Sequence, residues 1–152
     1  MREINIFFKE KPLKMVCLGF SSGLPILLVF STLSVWLVKA GINRSTVTLF
    51  SWAGFAYAFK YLWSPLVDNY KLPFLKKFGH RRSWLFLSQL SIIFALILTA
   101  FTDPQNSLFF TALFITFLAF SSATQDILID AFRIESAPQS LQGPLSSMYI
   151  AG

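Results

Sequence analysis

The chain has 152 residues, 55% of them hydrophobic and 13% charged, with a formal net charge of +6. A soluble domain carries about a quarter charged residues, and a chain this short buries only about 70% of its unfolded surface, so a water-soluble core could not hide its 18 Phe and 4 Trp. The composition argues for a bilayer as solvent. The positive charge falls in short basic segments between apolar runs, which is a membrane-topology pattern and not a nucleic-acid surface.

Four apolar segments follow one another, at about residues 13–38, 47–67, 84–101 and 108–129. Each comes near the ~20 residues that a helix needs to cross ~30 Å of hydrocarbon. None shows the alternation of a barrel strand, and only helices or closed barrels satisfy their backbone in lipid. The expected fold is therefore an all-α polytopic membrane protein. The first segment is too long for a cleaved signal peptide and no A-x-A-like site follows it, so it is read as retained. Within it Gly19 and Gly23 form G-x-x-x-G, a small face for close helix packing, and Pro25 predicts a kink. Cys17, the single cysteine, reads as a small buried hydrophobe.

Gly41, Asn43 and Ser45 mark the turn that follows, with Ser45 or Thr46 as the N-cap of the second segment. Asp103-Pro104 marks the third turn, with Ser107 as the N-cap of the fourth segment. Trp36, Trp52, Trp63 and Trp84 fall near segment ends, as interfacial anchors do. After Pro138 the chain turns polar and then apolar again at Met148-Tyr149-Ile150-Ala151, which reads as the first turns of a fifth span. The connections carry the orientation. Arg2, Lys9, Lys11 and Lys14 lie at the first span's start, in or beside a tail at about residues 1–12. Lys39 and Arg44 follow it, and Lys71, Lys76, Lys77, Arg81 and Arg82 lie between the second and third. The turn at residues 102–106 has neither Lys nor Arg. This alternation puts the N-terminus and the second connection in the cytoplasm.

Chemistry concentrates at a few expensive positions. Asp126 and Asp130 are four apart and share a helix face. An aspartate at a span's centre costs ~2.5–3.5 kcal/mol, while each Leu or Phe returns only ~0.3–0.6. Two readings stand for the pair: a solvated helix end, or carboxylates that line an aqueous path or contact a cation. Gln125 adds an amide beside them, and Arg133 follows Asp130 by three residues. Lys60 lies eight residues before Asp68, about 12 Å of helix at ~1.5 Å per residue. It either snorkels toward the headgroups or pairs with Asp126 across a helix interface. Asp68 then opens SPLVDNYKLPFLKKFGHRRSWL, in which Arg81 and Arg82 can bind the acid or simply anchor the span. The single histidine, His80, makes a metal site improbable, and no cofactor motif is present.

The order GFSSGLP, FKYLWSPLVD, GHRRSWL and ATQDILIDAFR resembles the AmpG-type muropeptide permeases of the major facilitator superfamily, in a branch shared with acetyl-CoA transporters. The resemblance covers essentially the whole chain. It implies an N-terminal portion of a transporter of twelve or more spans, built in two halves around a central cavity in the inner (cytoplasmic) membrane. Members import N-acetylglucosaminyl-anhydro-N-acetylmuramyl peptides with protons, for cell-wall recycling. Asp68, Gly79, Arg81 and Arg82 occupy the positions of the superfamily's cytoplasmic gate latch, although Asn69 stands where a basic residue is common. Gln125, Asp126 and Asp130 occupy the branch's fourth-span signature, and imply proton or substrate contacts. The length implies a fragment or a truncated product that lacks the C-terminal spans. Two other classes are kept open. One is a membrane enzyme that binds Mg²⁺ and a diphosphate headgroup through Asp126 and Asp130. The other is a non-transporting membrane remnant.

Overall fold

The computed structural model describes residues 10–70, 79–136 and 138–152, and these form helices with no strand among them. Arg2, Lys9, Lys71, Lys76 and Lys77 lie outside the described residues. The first rod is α1, Glu10–Leu27, a π-helical turn over Leu28–Thr32, and α2, Leu33–Lys39. Pro25 sits inside α1, where it removes one backbone donor, and the wider turn follows within four residues. Gly41, at φ +79°, ends the rod. The Ile42 N–H donates to Leu37 O and the Gly41 N–H to Val38 O, each at 3.0 Å. That is a Schellman ending, which a residue with a Cβ would strain.

The second apolar segment departs from the expected single span. It is a chain of short pieces: α3, Arg44–Leu49, a 3₁₀ turn over Phe50–Ala53, α4, Gly54–Ala58, a 3₁₀ turn over Lys60–Leu62, and α5, Ser64–Asn69. Asn43, one position before α3, takes the N-cap place expected for Ser45 or Thr46. Pro65 sits in the first turn of α5, where its missing N–H costs nothing, and it bars a continuous helix from the preceding turn,. α6, His80–Ala100, begins at Gly79, whose φ is +86°. α7, Leu108–Ser136, has 29 residues, about 44 Å at ~1.5 Å per residue, and so exceeds the ~30 Å hydrocarbon layer. A 3₁₀ turn over Gln139–Leu141 leads into α8, Gln142–Ala151, whose ten residues are half the length of a span,.

Among the described residues, three helices are long and apolar enough to cross a membrane: Leu13–Lys39, His80–Ala100 and Leu108–Glu135. The last of these is the central one, with 61% of its apolar window buried against 28% and 22% for the others. α7 touches α1, α4, α6 and α8. Ala119, Ser121, Ser122 and Ala123 on α7 are buried, and such small side chains let neighbouring backbones come close. The core gathers Val29, Leu33 and Leu37 from the first rod, Ala53, Ile92 and Ala95, and Ile115, Leu118 and Ala119 of α7. Outward, Phe20, Leu27, Phe86, Phe94, Phe109 and Phe110 are exposed. Such a surface suits acyl chains and would drive aggregation in water. Cys17 is also exposed, contrary to its reading as a buried hydrophobe.

α1 and α8 meet through glycine. A Cβ on Gly19 would overlap the Tyr149 carbonyl, and one on Gly152 the Val16 carbonyl. A Cβ on Gly23 would meet nothing within 4 Å. At the opposite end of the rods, Gln105 donates to Ala40 O at 2.6 Å and ties the third turn to the first. Asp103 organises that turn through Gln105 N–H at 3.0 Å and Asn106 Nδ2 at 2.6 Å.

Candidate functional site

One polar cluster draws on four parts of the chain, and Asp126 is its centre. Asp126 stands on the buried face of α7 with its side chain 14% exposed. Its Oδ1 accepts from Ser22 Oγ of α1 and from Tyr149 Oη of α8, the latter at 2.6 Å. Tyr149 Oη also lies 3.1 Å from Ser22 Oγ. The other oxygen, Oδ2, accepts from Lys60 Nζ at 2.8 Å. Lys60 therefore pairs across the helix interface, the second of its two sequence readings. Its ammonium also lies 3.5 Å from Asp130 Oδ2. Asp130 is held in turn by Arg133 Nη2 at 3.2 Å, one turn along the same helix. Arg133 Nη1 donates to Ser146 Oγ of α8 at 3.0 Å.

The local sequence explains why these groups converge. The i, i+4 and i+3 spacing of Asp126, Asp130 and Arg133 stacks them on one face of α7. Lys60 belongs to the 3₁₀ turn that interrupts the second segment. Gln125, 1% exposed, donates to Ser21 Oγ at 3.0 Å. Trp63 donates to Thr124 Oγ1 at 3.3 Å and packs on Phe120 with ring centroids 4.6 Å apart. Sequence reading had singled out neither Ser22 nor Tyr149. The available signals were the hydroxyl pair Ser21-Ser22 inside G-x-x-x-G and the one hydroxyl-bearing ring in the last apolar run.

The arrangement has a definite chemical capacity. A lysine stands between two carboxylates, closer to one than to the other. While Asp126 is ionised, the lysine is held there by charge and a hydrogen bond. A proton on Asp126 removes that attraction and leaves Asp130 as the lysine's nearest anion. A lost interaction at Arg133 would then be felt by α8 through Ser146.

A second constellation closes one end of the bundle. Arg81 binds Asp68 through Nη1 and reaches Glu135 Oε1 through Nη2 at 2.6 Å. One guanidinium thus joins α5, α6 and α7. His80 Nε2 lies 2.9 Å from Asp68 O, and Trp84 donates to Tyr70 O at 2.8 Å. Gly79 O accepts from Ser83 Oγ at 2.8 Å at the turn into α6. Arg82 is exposed and forms no ion pair among the described residues. Glu135 joins the clasp as a partner that lies outside the SPLVD-to-GHRR element. Among the described residues no three His, Cys, Asp or Glu side chains gather as a metal site.

Long apolar helices, joined by an ion-pair cluster and by an acid–arginine clasp at one end, define a multi-pass membrane protein. The profile of the acetyl-coenzyme A transporter 1 family matches residues 13–142, and the chain belongs to that family. It is 40% identical over 152 residues to "Putative transporter AmpG 4" of Rickettsia conorii, covering 100% of this chain and 37% of that protein. It is 37% identical over 149 residues to the "Anhydromuropeptide permease" of Escherichia coli K12, covering 98% of this chain and 30% of that protein. It is 43% identical over 119 residues to "Putative transporter AmpG 3" of Rickettsia prowazekii, covering 78% of this chain and 28% of that protein. The chain thus spans about a third of the length of these relatives.

Proposed function

We propose that the chain is the N-terminal portion of a proton-coupled importer of muropeptides in the inner membrane, with its N-terminus in the cytoplasm. The observation that carries the reading is the Lys60–Asp126 pair, 2.8 Å apart between elements that line one bundle. An intramembrane ionisable pair is costly and marks a substrate or proton path. The permease name of the Escherichia coli relative supplies the solute class. In this reading Asp126 takes the proton, Lys60 and Asp130 respond to it, and Gln125, whose amide is buried against Ser21 instead of facing a solute, holds α1 beside them. Asp68, Gly79 and Arg81 form the cytoplasmic gate, Arg82 stands beside it outside the clasp, and further spans on a longer protein complete the cavity,.

The Mg²⁺–diphosphate enzyme fits less well, because Lys60 and Arg133 already neutralise the carboxylates such a site would need. The non-transporting remnant, which would keep these residues without moving solute, is the second reading. Uptake of a radiolabelled anhydromuropeptide separates the two, in cells whose only permease is the open reading frame that holds this chain. Uptake that a protonophore abolishes is expected. Absence of uptake selects the remnant, and protonophore-insensitive uptake removes the proton from the account.

A further inference from the structure

A groove on the outer face of the bundle contains groups that the Asp126 cluster does not use. It lies between α1, α6 and α7, at the same end as the Arg81 clasp, and encloses about 400 Å³. Leu13, Cys17, Leu18, Leu85, Leu128 and Phe132 make its wall, and Lys14, Arg81 and Arg82 stand along it. Arg81 is committed to Asp68 and Glu135. Arg82 has no acidic partner among the described residues.

An apolar slot with cations at one end makes two demands on its occupant. The wall offers nothing to a hydrated ion, so the occupant must present hydrocarbon. Arg82 stands in the first turn of the apolar helix His80–Ala100, the end at which a spanning helix meets headgroups, so the occupant must also present an anion there. A neutral lipid meets the first demand alone, and free phosphate only the second. We propose that this groove binds one anionic phospholipid, with an acyl chain along the α1–α6–α7 wall and the phosphate at Arg82. The inference needs only that the chain spans a membrane, and stands or falls apart from the transport reading.

Native mass spectrometry of the detergent-solubilised chain, offered equal phosphatidylglycerol and phosphatidylcholine, tests the site. One phosphatidylglycerol should be retained in several-fold excess. Arg82→Gln should bring the two lipids to near parity, with helix content by circular dichroism unchanged because Arg82 is exposed. Cys17, the chain's single cysteine, gives an independent readout from within the groove. Its reaction with N-ethylmaleimide should slow several-fold when phosphatidylglycerol is added, and phosphatidylcholine should slow it less. Equal retention of the two lipids, or undiminished phosphatidylglycerol preference in Arg82→Gln, overturns the proposal. So does protection of Cys17 before any lipid is added, which would mean that a protein segment fills the groove.

Discussion

Asp126, Asp130 and Lys60 were conspicuous in the sequence because charge inside an apolar run is expensive and must be compensated. Their partners were less legible. Ser22 and Tyr149 carry hydroxyls, which are ordinary in membrane helices, and only the packing of α1, α7 and α8 brings both to one carboxylate oxygen. The choice between Arg81 and Arg82 was equally hidden, because it depends on how the first turn of α6 is rotated. Two predictions belong at this scale. A double-mutant cycle with Lys60→Met and Asp126→Asn should return a coupling of about 1 kcal/mol, the range of polar pairs between membrane helices. Denaturation in mixed micelles measures it, and additive effects would mean that the pair contributes nothing to stability. The second concerns the clasp. In a Cys17→Ser background, Val67→Cys places a thiol at a buried position of α5. Arg81→Gln should speed its labelling by a water-soluble maleimide, since Asp68 and Glu135 lose their shared cation, while Arg82→Gln should not. Equal rates in both variants would reduce Arg81 to an anchor.

Among the elements, α6 and α7 followed from apolar length alone. The second segment did not become one rod, although its hydropathy resembles that of its neighbours. Hydropathy reports the solvent a segment prefers and says little about its backbone path. The path here answers to Pro65 and to the turn that brings Lys60 to α7. The G-x-x-x-G pattern told of close packing but not of which glycine does it. Gly19 faces the backbone of α8, whereas Gly23 faces open space. Gly19→Ala should therefore lower the thermal midpoint, with an overpacking cost of about 1–3 kcal/mol. Gly23→Ala should leave it unchanged or raise it, since alanine favours a helix interior by about 1 kcal/mol over glycine. Differential scanning fluorimetry of the two variants decides the matter. A loss at Gly23 as large as at Gly19 would contradict the α1–α8 contact.

At the scale of the whole molecule, α7 is the hub. It carries both carboxylates, packs against α1, α4, α6 and α8, and hands Glu135 to the clasp at its end. The Asp126 cluster and the clasp are thus two regions of one helix, which gives a physical route between them. A shift of Lys60 from Asp126 toward Asp130 would disturb Arg133 first and the end of α7 next. The central claim is that Asp126 is the proton-bearing group of a transporter. Proton-driven accumulation of labelled anhydromuropeptide, measured for wild type and Asp126→Asn in the protein encoded by the whole reading frame, tests it most directly. The account predicts that Asp126→Asn reaches the membrane in normal amount and loses accumulation against a gradient. Accumulation at the wild-type level would contradict it.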